Sequence, residues 1–356
     1  MKFSKSKSIS KYSMIRFLIV IFFSVLFIGG TQGIDKTGKI ASKPLFRDPI
    51  YDGAADPVVI WNQKEKKWFM FYTNRRANVK DLIGVTWVHG SRIGVAESSD
   101  GGATWQYRDT CDIPSPYVET HWAPEVIEHQ GIYHMYLSYV PGIFTNWNHP
   151  RDIIHLTSKD LIRWKYESTL ELASDRVIDA CIFRLPNGNW RMWYNNEVDA
   201  KSIYYADSED LYHWEDKGKA VGDQMGEGSK VFQWKDKYWM LTDVWDGLAV
   251  YESEDLISWK RIPGNLLKEP GKGKEDNVIG RHPDVVINNG RAYLFYFTHP
   301  GQVDSIPKDS FYEKRRSSIQ VVELEYENDR INCDRNKPTY IDLHPPLIVM
   351  SYKLLS

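Results

Sequence analysis

The sequence predicts an all-β fold, a five-bladed β-propeller, on three observations: a unit that recurs five times, strand-type patterning inside every unit, and little helical periodicity anywhere. Each unit opens on a short apolar run: ADPVVIW at 55–61, APEVIEH at 123–129, DACIFRL at 179–185, EGSKVFQW at 227–234 and HPDVVIN at 282–288. A hairpin turn and an aromatic strand follow, reading KKWFMFYT, GIYHMYLSY, GNWRMWYN, DKYWMLTD and GRAYLFYF. A third strand then leads into a polar turn ending in Trp: SSDGGATWQ at 98–106, TSKDLIRWK at 157–165, DSEDLYHWE at 207–215 and ESEDLISWK at 252–260. Each of these Trp residues is expected to plug the gap between neighbouring blades, where one large side chain buries much area. The fifth unit lacks the turn, so residues 311–326 are expected to supply its outer strand. Residues 36–50 or the tail after Asn336 are expected to complete a blade. Openings 48 to 69 residues apart suit small antiparallel sheets around an axis. Six blades, or a pair of sandwiches, suit that spacing less well.

The amino terminus reads as an export signal. Lys2, Lys5, Lys7, Lys11 and Arg16 precede an apolar run from Phe17 to Ile28, and small residues lead to Gly33. The run is shorter than the roughly 20 residues a membrane span needs. Residues 1–33 are therefore expected to be a cleaved signal peptide and residues 34–356 a single catalytic domain. The expected location is secreted or periplasmic, with no stable membrane insertion after cleavage. Cleavage removes five basic residues and no acidic one, leaving 40 Lys+Arg against 47 Asp+Glu. That balance gives no general attraction to nucleic acid. Three cysteines (Cys111, Cys181 and Cys333) are too few for a disulfide-built fold, although one pair remains open to it. Patterns for phosphate loops, dinucleotide binding or zinc fingers are missing.

In a propeller the innermost strands line the axis and their starts ring one mouth. Asp56, Glu125, Asp179, Glu227 and the His282/Asp284 pair stand at those starts. Gathering carboxylates opposes their ionisation, and becomes useful where one acid must stay protonated while another stays ionised. Glycosidic bond cleavage needs that division: one carboxylic acid protonates the leaving oxygen, and another activates water or attacks the sugar. Trp61, Trp87, Trp122, Trp147 and Trp245 are candidate flat surfaces for sugar faces, and Asp243 and Asp246 are rim candidates.

ADPVVIW, HWAPEV at 121–126, VIDACIF, GEGSKVF and GRHPDVV resemble, in order, the blade openings of family 43 glycoside hydrolases and their five-bladed relatives, over about residues 50–300. The resemblance implies Asp56 as general base, Asp179 as the residue tuning the acid and orienting substrate, and Glu227 as general acid. It implies hydrolysis with inversion, often of single sugars from chain ends. It also implies a fifth-blade His, here His282, near an axial ion or water cluster, making His282 a candidate ligand of a structural or axial calcium; no cofactor is required for the chemistry. WMLTDVWDGLAVYESEDLISW and GRHPDVVINNGRAYLFYFTHPG look more narrowly like family 117, which releases 3,6-anhydro-L-galactose from neoagarooligosaccharides. That family has a His before the fourth-blade Glu, where this chain has Gly226, and a long helical amino-terminal segment for which there is no room. The sugar is therefore left open.

Other candidate substrate contacts are His121 and Trp122 ahead of the second opening, Trp245 at the rim, and Glu125, His282 and Asp284. Arg76, like Arg75, is placed to read a carboxylate or sulfate. Insertions between Asn74 and Arg92 and around Val140 to Arg151 are expected to wall the pocket and favour chain-end cleavage. The expected partner is an oligosaccharide, the expected assembly a monomer or simple homodimer. Two alternatives stay open: a glycoside phosphorylase, which requires basic side chains beside Asp56, and a carbohydrate-binding propeller without catalysis.

Overall fold

The computed structural model describes residues 38–114 and 119–346; the expected signal peptide lies outside them. The described chain is a five-bladed β-propeller of four-stranded antiparallel sheets. Blade one comprises Ala54–Asn62, Lys67–Asn74, Arg92–Ser98 and Gln106–Thr110. Blade two comprises Thr120–His129, Ile132–Val140, Asp152–Ser158 and Lys165–Thr169. Blade three runs through Val177–Arg184, Trp190–Asn196, Ser202–Ser208 and Glu215–Val221, and blade four through Glu227–Trp234, Lys237–Asp243, Leu248–Ser253 and Lys260–Leu266. Blade five comprises Arg281–Asn288, Arg291–Thr298, Ser318–Glu327 and Arg330–Cys333.

Blades pack face to face, so their second strands are covered on both sides; all of Trp190–Asn196 is buried. That is why these segments read as continuous aromatic runs and not as alternating ones. The core divides into seams. One joins blades one and two through Phe69, Phe71 and Ile93 against Met135 and Leu137, and another joins blades three and four through Trp193 against Met240 and Tyr251. The turn tryptophans sit in these seams as expected, each against the preceding blade: Trp105 toward blade five, Trp164 toward blade one, Trp214 toward blade two and Trp259 toward blade three. Where blade five has no such Trp, Tyr326 meets Trp234 and Trp239 with ring centroids 6.1 and 6.3 Å away.

The polar turns share one wiring. In blade two, Ser158 Oγ accepts the Leu161 N–H at 2.9 Å, while Asp160 Oδ1 accepts those of Ile162 and Arg163 at 3.0 and 2.9 Å. Ser208 with Asp210 and Ser253 with Asp255 repeat it. These side chains stand in for ladder partners the turn cannot supply.

Closure differs from expectation. Phe311–Arg315 is a short helix, Ser318–Glu327 is the third strand of blade five, and Arg330–Cys333 is its outer strand. All five blades are thus built from consecutive strands. The end segments instead pair with one another, Lys39–Ile40 with Tyr340–Ile341, and bury Leu45, Phe46, Ile341 and Leu343 across the seam between blades five and one. The three cysteines are free.

Candidate active site

Every innermost strand breaks register at one place: between Ala55 and Val58, Trp122 and Pro124, Ile178 and Cys181, Glu227 and Lys230, and Arg281 and Asp284. Each break holds one residue with left-handed backbone: Asp56 (φ 51°), Ala123 (40°), Asp179 (61°), Gly228 (57°) and His282 (42°). For the four that are not glycine this costs about 1–2 kcal/mol each. Such bulges re-aim side chains. Hydrogen bonds to the preceding blade hold them: the N–H of Ala123 donates to Thr73 Oγ1 at 2.8 Å, and that of Asp179 to Ser138 Oγ at 2.9 Å. Those of Gly228 and His282 donate to carboxylate oxygens of Asp179 (3.0 Å) and Asp243 (3.2 Å).

Above this ring opens a cavity of about 630 Å³ lined by Asp56, Asp179 and Glu227. The three carboxylates expected to act together therefore do face one space. Asp56 is 5% exposed. Arg75 Nη2 lies 3.1 Å from both of its oxygens, and His282 Nδ1 lies 3.5 Å from Oδ1. Burial raises its pKa, but the charges of Arg75 and then His282 outweigh burial and hold it below the usual carboxylate value. Asp179 and Glu227 move the opposite way. Burial, followed by repulsion from Asp56 and Glu197, pushes Asp179 up to about 8. Burial, followed by repulsion from Asp179, pushes Glu227 up to about 7, although Lys201 Nζ at 3.4 Å opposes it. About a quarter of the Glu227 side chain stays open to the cavity. The two titrate as a pair that keeps a proton near neutrality.

Aromatic walls come from Trp87, Trp122, Trp147, Trp245 and Phe297, and the insertions after Asn74 and Val140 supply Trp87, Val88, Trp147 and Arg151 to the lining. Trp61 is buried against Trp68 in the seam of blades five and one. Trp122, Trp245 and His282 line the cavity.

Four expected substrate contacts, Arg76, His121, Glu125 and Asp284, stand outside the cavity lining. Arg76 donates from Nη2 to the Thr86 carbonyl at 2.6 Å. His121 is fully buried, with Nε2 2.6 Å from Glu119. Glu125 and Asp284 stand two residues past the bulges and so one layer deeper. There Lys230 Nζ lies 2.9 Å from Glu125 and 2.8 Å from Asp284. Blades two and four are not neighbours, so this contact crosses the central channel. Glu125 also accepts the Ile182 N–H at 3.1 Å and Asp284 that of Val59 at 2.9 Å, which ties all five blades to one ammonium. Burial lowers the Lys230 pKa, but Asp284 and Glu125 more than reverse that, and the residue stays charged.

The expected axial calcium does not fit these residues. The Lys230 ammonium holds the crossing point, and the axial carboxylates already bind it. Among the described residues no group of three His, Cys, Asp or Glu side chains could hold a metal.

Among the titratable lining residues, Arg75, Glu197, Lys201, Asp243 and His299 lie off the first strands; Arg75 and Asp243 are candidates the sequence already offers, and Glu197, Lys201 and His299 are not. Four have a simple origin. Second strands run antiparallel to first strands, so their carboxy-terminal ends lie beside the bulges, as the pairings Ala54 with Asn74, Val177 with Asn196 and Glu227 with Asp243 show. The residue ending each aromatic strand, or the next one, is the signal that would have found Glu197 and His299. Glu197 binds Arg151 at 2.8 Å and also pairs with Lys201. Lys201 has no equivalent in the repeat.

No family model matches the chain. Among solved structures, it is similar to a thermostable family-43 glycoside hydrolase, with 18% identity over 85% of this chain and 99% of that one and a TM-score of 0.60. A GH43 β-xylosidase/α-arabinofuranosidase from a compost microbial metagenome gives 15% identity, coverage of 83% and 97%, and a TM-score of 0.56. The Bombyx mori GH32 β-fructofuranosidase gives 16% identity, coverage of 81% and 66%, and a TM-score of 0.58. At such identities the likeness is one of fold: this chain has the five-bladed propeller of the GH43 structures.

Proposed function

We propose that this protein is a glycoside hydrolase that cleaves with inversion and releases a terminal sugar from an oligosaccharide. The observation carrying the reading is the opposed displacement of three carboxylates in one cavity: Asp56 pushed toward the ionised form, Asp179 and Glu227 toward the protonated one. Inverting hydrolysis asks for that division of labour. Asp56 takes a proton from water as its oxygen bonds to the anomeric carbon, and Glu227 gives a proton to the departing oxygen. Asp179 supports the acid twice. It shares a proton with Glu227, so that ionising both is unfavourable, and its Oδ2 accepts the N–H of Gly228, fixing the backbone beside the acid. Trp87, Trp122, Trp147 and Trp245 supply apolar faces for the sugar. The glycosidases that share this propeller add support for the same class of reaction. Chain-end attack is favoured by the walls contributed by the two insertions.

The test is a panel of plant and algal oligosaccharides, with the anomer of the released sugar followed by NMR. Inversion gives the opposite anomer to the bond cleaved; retention would overturn the water-activating role of Asp56. Glu227→Gln is expected to lower kcat about 10²–10⁴-fold on substrates with poor leaving groups. Full activity in that variant would remove Glu227 as the acid.

A further inference from the structure

Hydrolysis of a neutral sugar leaves part of this cavity without work. Three of its five cations are engaged by carboxylates, Arg75 by Asp56, Arg151 by Glu197, and Lys201 by Glu197 and Glu227, while Arg176 donates to Asn148 Oδ1 at 3.2 Å. Arg281, the residue just before the bulged His282, also lines the cavity; among the described residues it makes no ion pair within 4.0 Å, and the carboxylate that feels its charge is that of Asp243, whose ionised form it favours against burial. Besides Asp243, the neighbourhood of Arg281 holds a second guanidinium, that of Arg75, across His299. His299 Nδ1 lies 3.0 Å from the Arg316 carbonyl, so that nitrogen carries the proton and Nε2 accepts from Arg75 Nη1 at 3.1 Å. Burial and then the charges of Arg75 and Arg281 push the His299 pKa down to about 3. Both guanidinium groups therefore lie close enough to act on one imidazole, which stays neutral and orients Arg75.

A guanidinium that faces a cavity can bind bidentately to a carboxylate, sulfate or phosphate, an arrangement stronger than a neutral hydrogen bond and geometrically selective. Asp179 and Glu227 keep a proton between them near neutral pH, and burial raises the pKa of Asp243, so the lining carboxylates offset the cavity's cations only in part. We propose that the blade-five wall of the cavity, with Arg281 as its guanidinium, is a subsite for an oxyanion. The proposal rests on the glycosidic reading of the same cavity and narrows it. The oxyanion has two sources. It is a charged group on the sugar being cleaved, as in a uronate or a sulfated residue, or it is free phosphate standing where water would attack. In the second case a phosphate oxygen bonds to the anomeric carbon as the glycosidic C–O bond breaks. Glu227 gives its proton to the departing oxygen, and the product is a sugar phosphate.

Binding and turnover separate these cases. Inorganic sulfate and inorganic phosphate are titrated into the mature protein while tryptophan fluorescence is followed, since four Trp residues line the cavity. Saturable quenching is expected, weakened about tenfold or more in Arg281→Gln, which is roughly the loss of one charge-assisted contact. Arg281→Lys, which keeps the charge, is expected to retain part of the binding and guards against a misfolded Gln variant. Matched neutral, uronate-terminated and sulfated oligosaccharides are then offered with and without phosphate. Preference for the anionic substrates in phosphate-free buffer, lost in Arg281→Gln, identifies a sugar substituent. Sugar phosphate released only when phosphate is present identifies the ion. No ion binding, or binding equal in wild type and Arg281→Gln, overturns the subsite while leaving hydrolysis intact. Ion binding that depends on Arg281, with no oligosaccharide cleaved under any condition, keeps the subsite and removes the glycosidase reading.

Discussion

At the scale of single residues, conformation and chemistry select the same side chains. Left-handed backbone is tolerated best by Gly, Asn, Asp and His, and four of the five bulges hold Asp56, Asp179, Gly228 and His282. Gly228 shows how tight the fit is, because a Cβ there would lie 2.6 Å from the His282 ring. Gly228→Ala is expected to cost about 1–2 kcal/mol of stability from backbone strain and to lower activity at least tenfold by displacing His282. Unchanged kinetics would show that His282 does not matter for turnover. Asp179 carries a pH signature. Its folded pKa is raised, so its protonated form is favoured by the fold; stability is full below the unfolded value of 3.8 and falls as pH rises toward about 8. Asp179→Asn is thus expected to match wild type at pH 4 and to exceed it by about 1–3 kcal/mol at pH 9 in denaturant melts. A variant less stable at pH 9 would mean that the carboxylate is not held protonated. Activity should fall on the alkaline side as the Asp179–Glu227 pair gives up its proton, and on the acid side only below the usual carboxylate range, because Asp56 is held low.

At the scale of elements, repetition made the strands readable. ADPVVIW, APEVIEH and their three counterparts are first strands, and the aromatic runs are second strands, because a buried sheet tolerates few other residue types. What repetition hid was the bulge. An extra residue does not show in a pattern of period two, so Glu125 and Asp284 read as equivalents of Asp56 although they lie a layer deeper. Arg75 and Asp243 were legible as candidates, whereas Glu197 and His299 escaped because attention to strand starts overlooks the ends of their antiparallel partners. The third-strand turns allow a direct comparison of packing with capping. Trp164→Ala should cost about 3–5 kcal/mol, since it empties a buried seam. Asp160→Ala, which removes only the acceptor for two turn amides, should cost about 1 kcal/mol. Equal losses in thermal melts would mean that the turn, and not the seam, holds the blades together.

For the whole molecule, the axial clasp is the element no local pattern announces. Lys230 sits in an apolar stretch of blade four, and its partners lie 105 and 54 positions away in sequence. Lys230→Met would strand two buried carboxylates and is expected to destabilise by about 3–5 kcal/mol. Adding Glu125→Gln and Asp284→Asn should recover much of that loss, since no buried charge then lacks a partner. Chemical denaturation of the single and triple variants decides it: a triple variant no better than the single one would give the ammonium a role beyond neutralising its neighbours.

The paired end segments carry a different implication. Lys39–Ile40 runs beside Tyr340–Ile341, so the chain enters and leaves the ring at a single point on its circumference. A ring joined there has no obligatory starting blade. A short linker from residue 343 back to residue 38, with new ends cut at the open hairpin turn of Gly131, where an added Cβ would meet nothing within 4 Å, should yield a rotated gene whose product folds to the same propeller.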